Sequence, residues 1–171
     1  LPVLAVLVDN KLKSLDFSLV SPHNIRFIGY DHPDGRRTYI RSLCFVLQVV
    51  VREMFPDKIL AVDYSLPSGL YCEIREKNAM YDGRPQVYFA TDEELEKIES
   101  RMTELIEADL PFSKVNMSRE ECEKVFALNS QMEKVNLIRS VGRFNYSVYM
   151  LNGHVDTFYG PMTPSTGYLR V

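Results

Sequence analysis

The sequence predicts an α+β fold: a small β-rich module followed by a larger unit built from both helices and strands. Three observations carry this reading. Residues 3–8 form an unbroken apolar run, a helical spacing sets in from Thr38, and Asn152-Gly153 joins two late β-type runs. At 171 residues the chain has the size of one domain, or of a small module beside a medium one, and either buries a real core.

The apolar run at 3–8 shows no polar alternation, as a strand covered on both faces would. Asp9-Asn10 then marks a turn. Leu12, Leu15 and Phe17 predict a second short strand, and residues 24–30 a third, before His32-Pro33-Asp34-Gly35 breaks the pattern. The polar stretch 31–37 is the one plausible module boundary. From Thr38, the residues Ile40, Leu43, Cys44, Leu47, Val50, Val51 and Met54 recur at i, i+3, i+4, i+7, and Pro56 stops the helix. Residues 59–63 and 70–74 flank the turn cluster Leu66-Pro67-Ser68-Gly69 and read as a strand pair, with 86–90 as a further strand. Thr91 with Glu94, and Ser118 with Glu121, have the spacing of capping boxes. They open helices running to about Asp109 and through Cys122, Val125 and Phe126; a further helix is expected over 131–140. Residues 144–151 and 154–159 close the chain as a hairpin.

Composition narrows the function. Hydrophobic residues make up 46% and charged residues 25%, the mix of a folded globular chain. Twenty Lys and Arg against 23 Asp and Glu leave −3, so no global basic field gathers nucleic acid, although a local basic patch stays open. Cys44, Cys72 and Cys122 lack any CxxC pairing, which points away from a disulfide scaffold or zinc ribbon and toward a reduced, cytoplasmic setting. No apolar run reaches the roughly 18 to 20 residues of a membrane span, so no membrane partner is expected. The opening Leu1-Pro2-Val3-Leu4 reads as the start of an excised segment rather than a signal peptide.

Chemistry-bearing patterns are sparse. Neither GxxxxGK[ST] nor GxGxxG occurs, so no phosphate-cradling loop is expected here. His23, His32 and His154 are isolated, without the i, i+4 spacing that grips a metal, and no metal site is expected. Cys44 lies on an apolar helical stripe and reads as a small buried hydrophobe. Glu93, Glu94, Glu96, Glu99, Glu104 and Glu107 read as a solvated helix face. Arg36, Arg37, Arg41 and Arg52, with Tyr39 among them, are the only concentration of positive charge. Residues 158–167, with two prolines and two glycines, read either as an ordered site-lining loop or as a rigid connection to a following domain.

Taken together, residues 4–29, 35–56 and 155–167 resemble the N-terminal region of threonyl-tRNA synthetases: the second half of a TGS module, the start of the editing domain, and that domain's cysteine-containing loop. The resemblance implies a partial TGS module at 1–34 and a threonyl/alanyl-tRNA synthetase editing-like α+β domain at 35–171. In that family the helix carries His-x-x-x-His and the loop Cys-x-x-x-His, which hydrolyse mischarged tRNA. The matching positions here are Arg41, Phe45, Phe158 and Met162, all four substituted. Phe and Met supply no general base, and Arg stays protonated, so no catalytic residue is expected. Arg41, with Arg37, Tyr39 and Tyr159, is instead a candidate for holding a phosphate or carboxylate.

The wording Arg41-Ser42-Leu43-Cys44-Phe45, Gly69-Leu70-Tyr71-Cys72-Glu73 and Tyr159-Gly160-Pro161 resembles a second family more closely. These are nucleoside kinases of uridine kinase type that carry a synthetase-like TGS and editing region ahead of a P-loop kinase domain. That resemblance implies a noncatalytic accessory region whose partners are its own C-terminal kinase domain and RNA or a small ligand. ATP and magnesium are then expected for the kinase domain, none for this region. A Gly-Lys-Ser or Gly-Lys-Thr loop is expected soon after Val171. The competing expectations are a residual aminoacyl-tRNA deacylase and a free-standing RNA-binding module.

Overall fold

The computed structural model describes residues 2–66, 69–81, 84–129 and 131–170. β1 (Ala5–Val8) lies between β2 (Lys11–Lys13) and β3 (Ile25–Ile28), antiparallel to both. Every residue of β1 is buried, as its unbroken apolar run requires, and Asp9 and Asn10 turn the chain at φ 47° and 62°. The second strand stops at Lys13, short of Leu15 and Phe17, because the chain folds back so that the Phe17 N–H bonds the Ser14 carbonyl at 3.2 Å.

α1 (Pro33–Met54) starts ahead of Thr38. The His32-Pro33-Asp34-Gly35 motif, which sequence reasoning takes as a break, is the helix cap: the His32 ring accepts the Asp34 N–H at 3.2 Å, and Pro33 occupies the first turn, where an N–H has no intrahelical partner anyway. Gly35 presses this turn against the end of β3, since a Cβ there would overlap the Gly29 carbonyl. The expected boundary at 31–37 is therefore occupied by a cap and a first helical turn. The 22 residues of α1 span about 33 Å and run through the main core.

β4 (Lys58–Leu66), β5 (Gly69–Tyr81) and β6 (Arg84–Tyr88) form an antiparallel meander. The first two outrun the predicted 59–63 and 70–74: a register shift between Val62 and Tyr64 lets the ladder continue, and Arg75 ties it by bonding both Glu73 (2.8 Å) and Asp63. Pro67 and Ser68 of the predicted turn lie outside the described residues. The third strand sits two residues earlier than 86–90.

Both capping boxes are made. Thr91 Oγ1 accepts the Glu94 N–H (3.3 Å) while Glu94 accepts the Thr91 N–H (2.8 Å), opening α2 (Asp92–Glu107). Ser118 and Glu121 do the same for α3 (Arg119–Leu128) at 3.2 and 2.7 Å. α4 (Met132–Val141) ends at Gly142, whose φ of 66° suits a glycine. β7 (Ser113–Ser118), which sequence reasoning misses, pairs with β8 (Asn145–Leu151), and Asn152-Gly153 turns β8 into β9 (His154–Asp156). Residues 157–159 do not extend that strand, because the Thr157 N–H turns to the Asp156 carboxylate at 2.6 Å.

Two larger cores result. One joins α1, α2, β8 and the final turn (Thr166–Leu169) through Phe45, Val46, Val49, Leu105, Phe112 and Leu151. The other joins α3 and α4 to the β7–β8–β9 sheet through Cys122, Phe126, Val135, Ile138 and Val148. Among the described residues, no helix is long and apolar enough to cross a membrane.

Candidate functional site

The two segments carrying the substituted positions meet. α1 presents Arg41, Ser42 and Phe45 to the loop 157–165, and side chains of α1 and β8 order the loop. Ser42 Oγ accepts the Thr163 N–H at 2.9 Å and itself donates to the Thr38 carbonyl at 2.9 Å. Arg41 Nη1 donates to the Pro161 carbonyl at 2.6 Å, and the Tyr149 hydroxyl of β8 to the Gly160 carbonyl at 3.3 Å. Gly160 has φ 104°, and its Cα faces the Arg41 guanidinium closely enough that a Cβ would sit 3.0 Å from it. Beyond the loop, Tyr39 donates to the Leu169 carbonyl (3.0 Å), Thr166 donates to the Leu105 carbonyl (2.6 Å), and Asp109 accepts from Ser165 and from the Gly167 N–H (3.1 Å).

At its centre Phe45 is fully buried, 5.0 Å from the Phe158 ring and 6.1 Å from Phe112, and Met162 is 2% exposed. Three of the four positions are thus packed hydrophobes with nothing to take or give a proton. Burial lowers the Arg41 pKa from its ordinary value and raises that of Tyr149. At neutral pH the first remains a cation and the second a neutral donor, and both are spent on loop carbonyls.

The structure brings Arg41, Phe45, Phe158 and Met162 together but does not gather the candidate anion-holding set. Arg37 is exposed and paired with Asp34 at 2.7 Å, Tyr39 faces the Leu169 carbonyl and packs edge-on against Tyr30, and Tyr159 is 92% exposed on the loop. The predicted basic concentration is also divided. Arg36 lies over the Tyr30 ring (5.4 Å), and Arg52 stands about 16 Å farther along the helix axis than Arg41, because eleven residues separate them at 1.5 Å each.

Sequence reasoning misses a second feature, next to the first. Asp156, 1% exposed, lies two residues ahead of Phe158 and bonds Arg52 Nη2 of α1 at 2.5 Å, Lys134 of α4 and the Thr157 N–H. Arg52 also donates to the Val155 carbonyl at 3.2 Å. Burial lowers Arg52 to about 10; burial and the neighbouring Arg52 lower Lys134 to about 7, against the pull of Glu133. The only sequence signal was an acid inside a β-type run, and its two partners lie 104 and 22 residues away.

The remaining candidates are structural. His23 pairs with Asp9 (2.6 Å), His32 caps α1, and His154 stands 3.7 Å from Glu53. Cys44 is half-buried, and burial pushes its thiol up to about 11. The glutamates of α2 hold the capping box and surface ion pairs such as Glu93 with Lys97 (2.7 Å). Among the described residues, no group of three or more His, Cys, Asp or Glu is placed to hold a metal ion.

The fold and site define an α+β region in which a loop following a β-hairpin is locked onto a long core helix. No family model matches the chain. It is 30% identical over 168 residues to the threonine–tRNA ligase of Desulforamulus reducens, a match covering 98% of this chain and 25% of the ligase. It is 29% identical over 164 residues to that of Carboxydothermus hydrogenoformans (95% and 24%), and 27% over 170 to that of Coxiella burnetii (99% and 25%). The chain is a threonyl-tRNA synthetase-like region, and it spans about a quarter of the length of the curated relatives it matches.

Proposed function

We propose that this chain is an editing-like domain that has lost its hydrolytic centre and serves as a noncatalytic accessory region, binding RNA or a small ligand or regulating an attached enzyme. The attached enzyme, on the wording of residues 41–45, 69–73 and 159–161, is an ATP-dependent nucleoside kinase of uridine kinase type, and residues 1–34 are the remainder of a TGS module. One observation carries the loss of hydrolysis. At the helix and loop positions where a water-activating set would stand, Phe45, Phe158 and Met162 fill the space, and Arg41 is bonded to the loop backbone.

The test is deacylation of mischarged tRNA by the purified chain, beside calorimetric titration with tRNA, nucleosides, nucleotides and a separately expressed kinase domain. Release of amino acid at the uncatalysed rate, with saturable binding of one of these partners, is the expected result. Enzyme-dependent release that disappears in Arg41→Ala would replace this reading with a residual deacylase. Binding of RNA alone, with none of the kinase domain, would replace it with an RNA-binding module.

A further inference from the structure

The β4–β5 hairpin carries the core-facing side of its ladder on past the core. Leu60 stands opposite Ile74 and Val62 opposite Cys72, and the register shifts only after Val62, so all four share one face of the sheet. Leu60 and Ile74, with Tyr88, pack against the main core that α1 runs through, which makes this the face turned to α1. Val62 and Cys72 are its next step outward.

α1 and β4 lie side by side and run away from a common turn at residues 55–57, so positions along them can be matched. Gln48 of α1 and Leu60 of β4 border the same crevice. One helical turn farther from the junction α1 carries Cys44, about 6 Å from Gln48. Two residues farther along the ladder come Val62 and Cys72, about 6.6 Å from Leu60 and Ile74. The two steps match, so Cys44 and Cys72 stand level across the seam between helix and sheet. Their proximity is also electrostatic: burial, and then the neighbouring Cys72, pushes the Cys44 thiol up to about 11. Both thiols are free and half-buried, whereas Cys122 is fully buried in the other core.

Two such thiols can be joined by exchange with a small disulfide of the glutathione type. Cys72, the less deeply buried of the two, starts the reaction. Its thiol gives a proton to water, and the thiolate attacks one sulfur of the reagent, expelling one thiolate and leaving a mixed disulfide. Cys44 then loses its proton and attacks Cys72 Sγ, expelling the second thiolate. The two protein thiols are oxidised to one disulfide, and the reagent is reduced to two thiols. With its thiol at about 11, Cys44 meets reagents from solvent slowly. Attack within the chain is favoured all the same, because a neighbouring group acts at an effective concentration far above that of any solute.

We propose that Cys44 and Cys72 are a redox-closable pair, whose bond fastens the β4–β5 hairpin to α1 and opens again under reducing thiols. The bond ties residues 28 positions apart and holds the part of the hairpin beyond the core, where Leu66 and Met80 are exposed. Neither thiol is one of the four substituted positions, and the pairing goes beyond the accessory reading given above.

The test exposes the full chain, in non-denaturing buffer, to oxidised glutathione, followed by intact-mass measurement and peptide mapping. The expected product has lost two hydrogens, carries no glutathione, joins Cys44 to Cys72 with Cys122 still a thiol, and reverts with dithiothreitol. In Cys44→Ser the reaction is expected to stop at a glutathione adduct on Cys72. In Cys72→Ser, Cys44 is expected to react about tenfold more slowly than Cys72 does in the first variant. Closure is expected to slow amide hydrogen exchange across β4 and β5 while β7 and β8 stay unchanged. A lasting glutathione adduct on Cys72 of the unsubstituted chain, a bond between two copies, or no reaction overturns the pairing. Equal rates in the two variants overturn the order of steps, and a bond that leaves exchange in β4 and β5 unaltered overturns the fastening role. Should either variant fail to fold, the peptide map and exchange rates of the unsubstituted chain decide.

Discussion

At the scale of single residues, Asp156 is the side chain on which most depends. It is buried and shared by two cations, so removing it leaves Arg52 and Lys134 with burial unrelieved. Asp156→Ala is expected to cost about 3–5 kcal/mol in urea denaturation, and a loss under 1 kcal/mol would contradict the pairing described here. Cys44 illustrates the opposite case, a reactive residue type made inert by its surroundings. With its thiol raised to about 11 by burial, alkylation at pH 8 is expected to proceed about a hundredfold slower than for an unperturbed thiol, measured by mass spectrometry. The residue types of the degenerate centre were legible in the sequence, because substitution by Phe and Met removes chemistry whatever the fold. That Arg41 is bonded to Pro161 rather than free for a ligand was not legible, because that bond joins residues 120 apart.

At the scale of elements, local chemistry was read well. Both capping boxes, the Asn152-Gly153 hairpin and the helix after residue 131 are closed by partners only a few positions away. The start of α1 was misplaced because His32 is an uncommon cap, and a Pro-Asp-Gly run is equally a turn signal. β7 was missed because Ser113–Ser118 alternates weakly, and its pairing is supplied by β8, some thirty residues later. The junction at Gly35 is the element-scale test. Gly35→Ala is expected to destabilise by about 1–3 kcal/mol and to speed hydrogen exchange at the β1 amides more than at the β8 amides, since the added Cβ would push α1 off Gly29. Uniform exchange rates across both sheets would show that the contact holds nothing in place.

At the scale of the whole molecule, stability should depend on pH through carboxylates held below their ordinary range. Glu94 is lowered first by the Thr91 N–H and then by the Tyr88 hydroxyl, and Glu123 by Arg139 and Arg119. A folded-state value below the unfolded one means that the contribution is complete above the unfolded value, about 4.3, and is lost as pH falls through the folded value. The urea midpoint is therefore expected to fall steadily as pH drops below about 5, less steeply in Glu123→Gln. What the sequence by itself determined are the features closed within about one turn or one hairpin: the α+β class, the helix starts at Thr91 and Ser118, and the absence of hydrolytic side chains at four positions. Tertiary structure decided the rest: the pairing of β7, the locking of the 157–165 loop onto α1, and the Asp156 trio. The physical reason is range. A cap is satisfied within four residues, whereas burying Asp156 requires partners 104 and 22 residues away, which only the assembled fold brings within hydrogen-bonding distance.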